Sequence, residues 1–178
     1  MQLTNDLPIY SFILDINYDK DKLYNEIISD FKSKEAQEFL TAGSNNFRLD
    51  KKYDFVNVIY ENLVQESTKL FGELVLDPTN IKDGWAYINN KEFYKNGIHN
   101  HLNSSTINSV YYLNVPNETT GSINFFNDDH DIIYTHHPKE KELIIFPNYM
   151  LHEPCQSMTD EYRIAVNLEI KCQNIWSL

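Results

Sequence analysis

The chain has 178 residues, of which 42% are hydrophobic and 23% are charged, and its formal net charge is −11. This length and balance predict one globular domain, residues 1–178, with a sizeable hydrophobic core. The acidic excess argues against nucleic acid as a partner, because binding phosphates requires clustered Lys and Arg.

The first part of the chain predicts one short strand and two helices. The strand is expected from Ile9 to Leu14. Apolar residues at steps of three and four predict helices over Tyr18 to Leu40 and Tyr53 to Leu74. We expect this helical part, roughly residues 18–75, to support the remainder of the fold.

From about residue 80 the sequence changes to short apolar runs separated by turn residues. Strands are predicted over 84–88, 107–115, 122–126, 131–135, 142–146 and 163–170. Short strands at this spacing are typical of a β-sandwich or barrel. We therefore predict a mostly β fold of jelly-roll type, with its core over roughly residues 80–172 and the N-terminal helices packed on it.

Targeting and membrane signals are not found. No apolar run approaches the roughly 20 residues of a membrane span, and the first residues lack the cationic and apolar regions of a signal peptide. The two cysteines do not make a disulfide framework. The expected location is the cytoplasm, or the host cytoplasm if the chain is viral.

Two histidines lie one residue apart in H-N-H, His99 and His101. Because side chains at i and i+2 of a strand face the same way, both can contact one ion. Three further histidines stand in polar turns and are expected at the surface: His130, His136 and His137. His152 differs, since it follows an apolar strand and turn. About fifty residues separate it from His101, room for roughly four strands to return the chain to the pair.

Arg163 opens the last predicted strand, eleven residues after His152 (163 − 152). A non-haem Fe(II) oxygenase needs three protein ligands on one face of the ion. A dicarboxylate co-substrate such as 2-oxoglutarate also needs a cation at its far end, which the planar fork of arginine matches. The three histidines and Arg163 form such a set. The alternative for Arg163 is a surface ion pair with Asp160 or Glu161.

Five segments carry a family resemblance when read in order. They are H-N-H, S-V-Y-Y-L-N-V-P, G-S-I-N-F-F, L-I-I-F-P-N-Y-M-L-H-E-P and E-Y-R-I-A-V-N-L. Together they resemble the 2-oxoglutarate/Fe(II)-dependent oxygenase superfamily, in particular small oxygenases of bacteria and tailed phages with H-x-H and V-Y-Y-L signatures. The Y-Y-L-N, H-E-P and R-I-A pieces also resemble prolyl hydroxylases. The resemblance covers Trp85 to Ile170, about half of the chain.

The resemblance implies a double-stranded β-helix (jelly-roll or cupin-like) and an iron site in it. Fe(II) would be held by the catalytic histidines, His99 and His152, and by the residue two after His99. Arg163 would bind the far carboxylate of 2-oxoglutarate. The implied reaction consumes O₂ and 2-oxoglutarate, releases succinate and CO₂, and hydroxylates a C–H bond of a substrate.

The resemblance also implies roles for three residues around the co-substrate. Tyr112 would donate to the same carboxylate as Arg163, whereas Tyr111 points to the other side of its strand. Asn167 matches a position that is often polar near the co-substrate. Gly121 matches the glycine at which the chain turns after the Y-Y-L strand.

The sequence departs from the superfamily at the third iron ligand, where H-x-D or H-x-E is usual and this chain has His101. Three interpretations remain. His101 ligates the metal directly, which its position favours; or a water takes the third position with His101 behind it; or Asp128 or Asp129 supplies the carboxylate.

We expect an enzyme that acts on a peptide or a small molecule, and the sequence does not indicate an oligomeric state. One alternative is a cupin-like metal protein that binds a small molecule without oxidising it, which would not require a carboxylate clamp at Arg163. A second is a catalytically silent β-sandwich, which would take up no metal and would tolerate His152→Ala.

Overall fold

The computed structural model describes residues 1–4, 6–33, 46–49, 53–82, 84–92 and 97–175. These residues form two helices and nine strands: β1 (Tyr10–Ile13), α1 (Lys20–Phe31), β2 (Asn46–Leu49), α2 (Asp54–Phe71), β3 (Gly84–Asn89), β4 (Ile107–Asn114), β5 (Ile123–Phe126), β6 (Ile132–His136), β7 (Glu142–Pro147), β8 (Leu151–Pro154) and β9 (Arg163–Ile170). Neither of the described helices is long and apolar enough to cross a membrane.

The strands form two antiparallel sheets. The large sheet has six strands in the order β1-β7-β4-β9-β3-β2, and the small sheet has three in the order β6-β5-β8. An isolated bridge between His99 and His152 adds one more paired segment to the free edge of β8. This arrangement confirms the predicted mostly β, antiparallel architecture.

The large sheet is buried on both faces, because the helices cover one face and the small sheet covers the other. Alternation along β4 shows this: Tyr111 and Leu113 pack with the helices, whereas Val110 and Tyr112 pack with the small sheet. A strand buried on both sides has no need of polar residues on alternate positions. This explains the continuous apolar run V-Y-Y-L.

The helices follow the predicted apolar periodicity. Helix α1 begins after Asp19, whose side chain accepts a hydrogen bond of 3.0 Å from the backbone N–H of Lys22. It buries Leu23, Ile27, Ile28 and Phe31 on one face. It ends at Phe31, well before the predicted Leu40; residues 34–40 of that prediction lie outside the described residues. Helix α2 ends at Phe71 and is followed by Gly72, which adopts a φ of 83°.

The predicted strands agree with the structure to within one residue at each end. Two observed strands, β2 and β8, were not predicted, because neither N-F-R-L nor L-H-E-P contains an apolar run. Strands β4, β5, β6 and β7 lie between His101 and His152, as expected for a chain that returns to the pair.

The prediction of a surface position for His136 is wrong. It ends β6 with 7% of its surface exposed, and its Nε2 lies 3.0 Å from a carboxylate oxygen of Glu142. Glu142 is buried as well and also accepts hydrogen bonds from the Ser11 hydroxyl and the Lys139 backbone N–H. The other two histidines predicted at the surface are exposed: His130 and His137.

Candidate metal centre

The structure brings three distant histidines together, His99, His101 and His152. One possible ligand atom from each lies within 4.8 Å of those of the other two. The ring centroids are 4.4 Å apart for His99 and His152, and 5.2 Å apart for each pair that includes His101. Among the described residues, no other three His, Cys, Asp or Glu side chains meet in this way.

Backbone pairing places His99 beside His152. Each residue's N–H donates to the other's carbonyl, over 3.1 and 2.9 Å, so their side chains lie side by side on one face. His101 is positioned separately, by a hydrogen bond of 2.9 Å from its N–H to the carbonyl of Asn148. The expectation that H-N-H lies on a regular strand is therefore wrong: His99 forms a single bridge, and a turn begins after His101.

Each of the three imidazoles has its Nδ1 next to an oxygen that can only accept. The partners are the carbonyl of Gly97 at 2.8 Å from His99, the carbonyl of Met150 at 2.9 Å from His152, and the carboxylate of Glu169 at 2.6 Å from His101. Each of these contacts requires a proton on Nδ1, which leaves Nε2 as the ring nitrogen available to a metal. Histidines that bind a metal commonly donate their other ring N–H to a carbonyl or carboxylate in this way.

The local environment favours the neutral form of His152 and of His99. Burial, together with the nearby His99, lowers the pKa of His152 to about 3. Burial also lowers the pKa of His99 from its ordinary value. Neutral imidazole is the ligand form, so little proton competition opposes metal binding here at pH 7.

The carboxylate that the H-x-H motif lacks stands behind the ring of His101, as Glu169. It was missed from the sequence, although a signal existed: alternation along β9 places Glu169 on the same face as Arg163, with Asn167 between them. Asp128 and Asp129 are exposed and do not belong to the histidine cluster. The described part of the chain therefore offers His101, rather than either aspartate, at the third ligand position.

The Arg163 side chain is buried, with 1% of its surface exposed, at the start of β9. The alternative of a surface ion pair is wrong. Asp160 pairs with Lys91 at 2.6 Å, and Glu161 accepts from the Asn114 amide at 3.0 Å. Burial lowers the pKa of Arg163, yet a guanidinium stays charged at neutral pH. No described carboxylate forms an ion pair with it.

Tyr112 and Gly121 surround the Arg163 side chain. The Tyr112 ring centroid lies 5.1 Å from the guanidinium carbon. Gly121 has a φ of 70°, and a Cβ there would lie 2.6 Å from Arg163 Cδ, so the arginine requires glycine at this turn. Tyr111 faces the opposite side, as predicted, where its hydroxyl lies 3.0 Å from that of Tyr18.

Buried polar atoms without a hydrogen-bond partner are concentrated at this site. Among the described residues there are six: Ser67 Oγ, Asn89 Nδ2, Asn108 Nδ2, Tyr112 OH, Arg163 Nε and Arg163 Nη1. All except the serine oxygen belong to β3, β4 and β9. Such atoms are rare in folded proteins. All five can donate, so a group rich in acceptors would satisfy them, and the charge of Arg163 would favour an anion.

The residues present fit a metal ion together with a dicarboxylate. Three neutral nitrogen ligands suit Fe(II) and leave further coordination positions open. Along the inner face of β9, the small residue Ala165 follows Arg163, and Asn167 follows Ala165. Asn167 is half-buried on this face, in the position predicted for a polar neighbour of the co-substrate.

No protein-family model matches the sequence, and no curated protein matches it. Solved structures do share its fold, and three of them are described below. A Pseudomonas putida prolyl-4-hydroxylase is 13% identical, with 95% of each chain covered and a TM-score of 0.59. The viral collagen prolyl hydroxylase of Paramecium Bursaria Chlorella virus-1, in complex with 2OG, is 12% identical over 97% of this chain and 99% of that one, with a TM-score of 0.58.

The third structure is a non-heme alpha-ketoglutarate-dependent carbocyclase from nogalamycin biosynthesis. It is 7% identical over 97% of this chain and 84% of the other, with a TM-score of 0.61. At such identities the likeness concerns the fold. The chain thus has the jelly-roll fold of 2-oxoglutarate oxygenases, and it carries a cluster of three histidines.

Proposed function

We propose that this protein is an Fe(II)- and 2-oxoglutarate-dependent oxygenase that hydroxylates a peptide or small-molecule substrate. The observation that carries the proposal is the buried guanidinium of Arg163, whose Nε and Nη1 have no hydrogen-bond partner, on the same strand as the carboxylate that orients His101. A buried charge without a partner is costly by several kcal/mol (roughly 3–5 when one partner of a buried pair is removed). An anionic co-substrate would remove that cost.

His99, His101 and His152 would hold Fe(II), which when bound supplies the activation of O₂ for oxidative decarboxylation of 2-oxoglutarate to succinate and CO₂. Arg163 and Tyr112 would hold the far carboxylate and so orient the 2-oxo end. Asn167 would be a polar neighbour of the bound co-substrate.

Aromatic packing would keep water from the buried side of the metal. The ring of Phe146 lies 4.9 Å from that of His152, and the ring of Phe125 lies 6.2 Å from it. Both phenylalanines are buried in the core between the sheets. A dry environment strengthens the electrostatic interactions of the site and protects reactive species from side reactions.

We assign the third ligand position to His101. Three neutral ligands would leave the positive charge of the metal uncompensated. Glu169, which contacts His101 rather than the metal, would supply the compensating negative charge. His101→Ala is expected to weaken iron binding, whereas His101→Asp restores a ligand and preserves it. Equal iron affinity in the parent and both variants would exclude His101 as a ligand.

The proposal is tested by measuring Fe(II) uptake and succinate release without added substrate. We expect one Fe(II) per chain and slow succinate formation in the parent. His99→Ala is expected to lose both, whereas Arg163→Gln keeps the metal and loses 2-oxoglutarate binding. Succinate release at the parental rate in either variant would overturn the proposal. Metal uptake without any succinate in the parent would favour the cupin-like alternative.

The two adjacent tyrosines provide a matched pair for the co-substrate site. Tyr112→Phe removes a buried hydroxyl that has no partner. It is expected to weaken 2-oxoglutarate binding about tenfold or more, because a hydrogen bond to a charged group contributes about 1.5–3 kcal/mol. Tyr111→Phe removes the contact with Tyr18 instead and is expected to leave the affinity unchanged. Calorimetric titration of the iron-loaded protein under anaerobic conditions distinguishes the two.

A further inference from the structure

We propose that Asn89 is a further binding residue for the far carboxylate of the co-substrate, an inference that rests on the proposed function. Asn89 is the last residue of β3 and is fully buried, with 0% exposure. In the β3–β9 ladder it lies directly opposite Arg163. Directly opposed residues of antiparallel strands have Cβ atoms about 4.5–5.5 Å apart, so the two side chains are neighbours.

Both side chains face the space between the sheets. Along β3 the residues two apart share a face, and Tyr87 belongs to the core between the sheets whereas Ala86 and Ile88 pack toward the helices. Asn89 therefore lies on the same side as Tyr87. This is also the side on which Arg163 meets Tyr112.

The orientation of the Asn89 amide is determined by its neighbour. The backbone N–H of Ser157 donates to Asn89 Oδ1 over 3.1 Å. A backbone N–H can only donate, so the oxygen must face it and the NH₂ group must point elsewhere. That NH₂ group is buried and has no partner among the described residues.

The chemistry of this neighbourhood identifies the ligand class. A side chain that only neutralised the buried guanidinium would present an acceptor, as an aspartate does, but Asn89 presents a donor. Four unpaired donors thus occupy one neighbourhood: the Asn89 amide, the Tyr112 hydroxyl, and two nitrogens of Arg163. A carboxylate has about four lone-pair sites on two oxygens. One terminal carboxylate can therefore satisfy all four donors.

Asn114, the last residue of β4, offers a contrast. It is also buried, with 1% exposure, but its amide nitrogen donates to the Glu161 carboxylate at 3.0 Å and to the Tyr162 carbonyl at 2.8 Å. Its donors are satisfied within the protein. Asn114 is thus a structural asparagine, and Asn89 is not.

The test is an anaerobic calorimetric titration of the iron-loaded protein with 2-oxoglutarate. Asn89→Asp keeps an oxygen for the Ser157 N–H but replaces the donor with a negative charge that pairs with Arg163. We expect affinity for 2-oxoglutarate to fall by a factor of about 100 or more, with unchanged iron affinity and an equal or higher Tm for the metal-free protein. Asn89→Ala is expected to lose about tenfold in affinity.

The control is Asn114→Ala, which is expected to lower Tm and to bind 2-oxoglutarate within about twofold of the parent. If the parent binds 2-oxoglutarate and both Asn89 variants bind it equally well, the inference about Asn89 is wrong while the proposed function stands. If the parent binds none, the proposed function fails and the inference falls with it. A purely structural role for Asn89 would lower Tm in both variants without changing the affinity.

Discussion

Replacing Glu169 by Gln is expected to weaken Fe(II) binding, although Glu169 itself is not a proposed ligand. Its carboxylate lies 2.6 Å from His101 Nδ1, and the two side chains are 18% and 25% exposed, respectively. The carboxylate keeps the proton on Nδ1, orients the ring and makes Nε2 a stronger donor to the metal. Glutamine keeps a neutral oxygen for the same hydrogen bond and removes the charge.

The magnitude follows from the difference between the two kinds of hydrogen bond. A bond to a charged group contributes about 1.5–3 kcal/mol and a neutral one about 0.5–1.5 kcal/mol. The difference of about 1–1.5 kcal/mol corresponds to roughly a fivefold to tenfold change in Kd. Glu169→Ala removes the bond entirely, and we expect a loss at the upper end of the roughly 10- to 100-fold range seen for such partners.

The assay is anaerobic Fe(II) titration, repeated with Mn(II) as an air-stable probe. Glu153→Gln is the matched control. Glu153 is close enough to raise the pKa of His99, but no described hydrogen bond joins it to a histidine. The Glu153→Gln substitution therefore removes the same charge from the same neighbourhood without removing a hydrogen bond to a proposed metal ligand. We expect its Kd to change by less than about twofold, as for a screened charge.

Two outcomes would refute this reasoning. If Glu169→Gln binds Fe(II) as tightly as the parent, the carboxylate does not support the ligand. If both variants lose affinity equally, the effect comes from overall charge rather than from the hydrogen bond to His101.

Two further predictions concern the residues that surround the site. Gly121→Ala is expected to reduce 2-oxoglutarate affinity at least tenfold in a calorimetric titration, because the added Cβ would lie 2.6 Å from Arg163 Cδ. The control is Gly72→Ala, since Gly72 also has a positive φ but a Cβ there would meet nothing within 4 Å. We expect this control to leave the affinity unchanged. Burial disfavours the charged form of Glu142, but its hydrogen bonds, that from His136 foremost, outweigh this and hold its pKa below the ordinary value. Its stabilisation is therefore present above about pH 4.5 and is lost as pH falls through the lowered pKa. Glu142→Gln is expected to cost about 2–3 kcal/mol in urea unfolding at pH 7, with the gap closing below about pH 4.5; a gap independent of pH would contradict it.

Most strands and the two helical regions were predictable because each has its own local signal. Strand β4 has an apolar centre, V-Y-Y-L, and a Pro-Asn turn signal follows it, and β9 begins and ends as predicted. Helix α1 shows the limit, since apolar spacing predicted its face but not its end at Phe31. Strand β8 has only four residues, and its pairing with β5 and with His99, rather than its composition, makes it a strand.

The sequence by itself determined the types of residue available for chemistry and their order: a close pair of histidines, a distant histidine, and an arginine after it. It did not determine which residues stand behind them. Glu169 meets His101 across 68 positions (169 − 101) through a side-chain contact, and Asn89 faces Arg163 across 74 (163 − 89) through a strand pairing, and neither carries a local signal. Burial also converts ordinary residue types into a site, since water would solvate the same guanidinium on a surface. Only the packed sheets bring together two nitrogens of Arg163, the Tyr112 hydroxyl and the Asn89 amide without hydrogen-bond partners. The reason is that whether a donor has a partner depends on all the residues that pack around it in the folded protein.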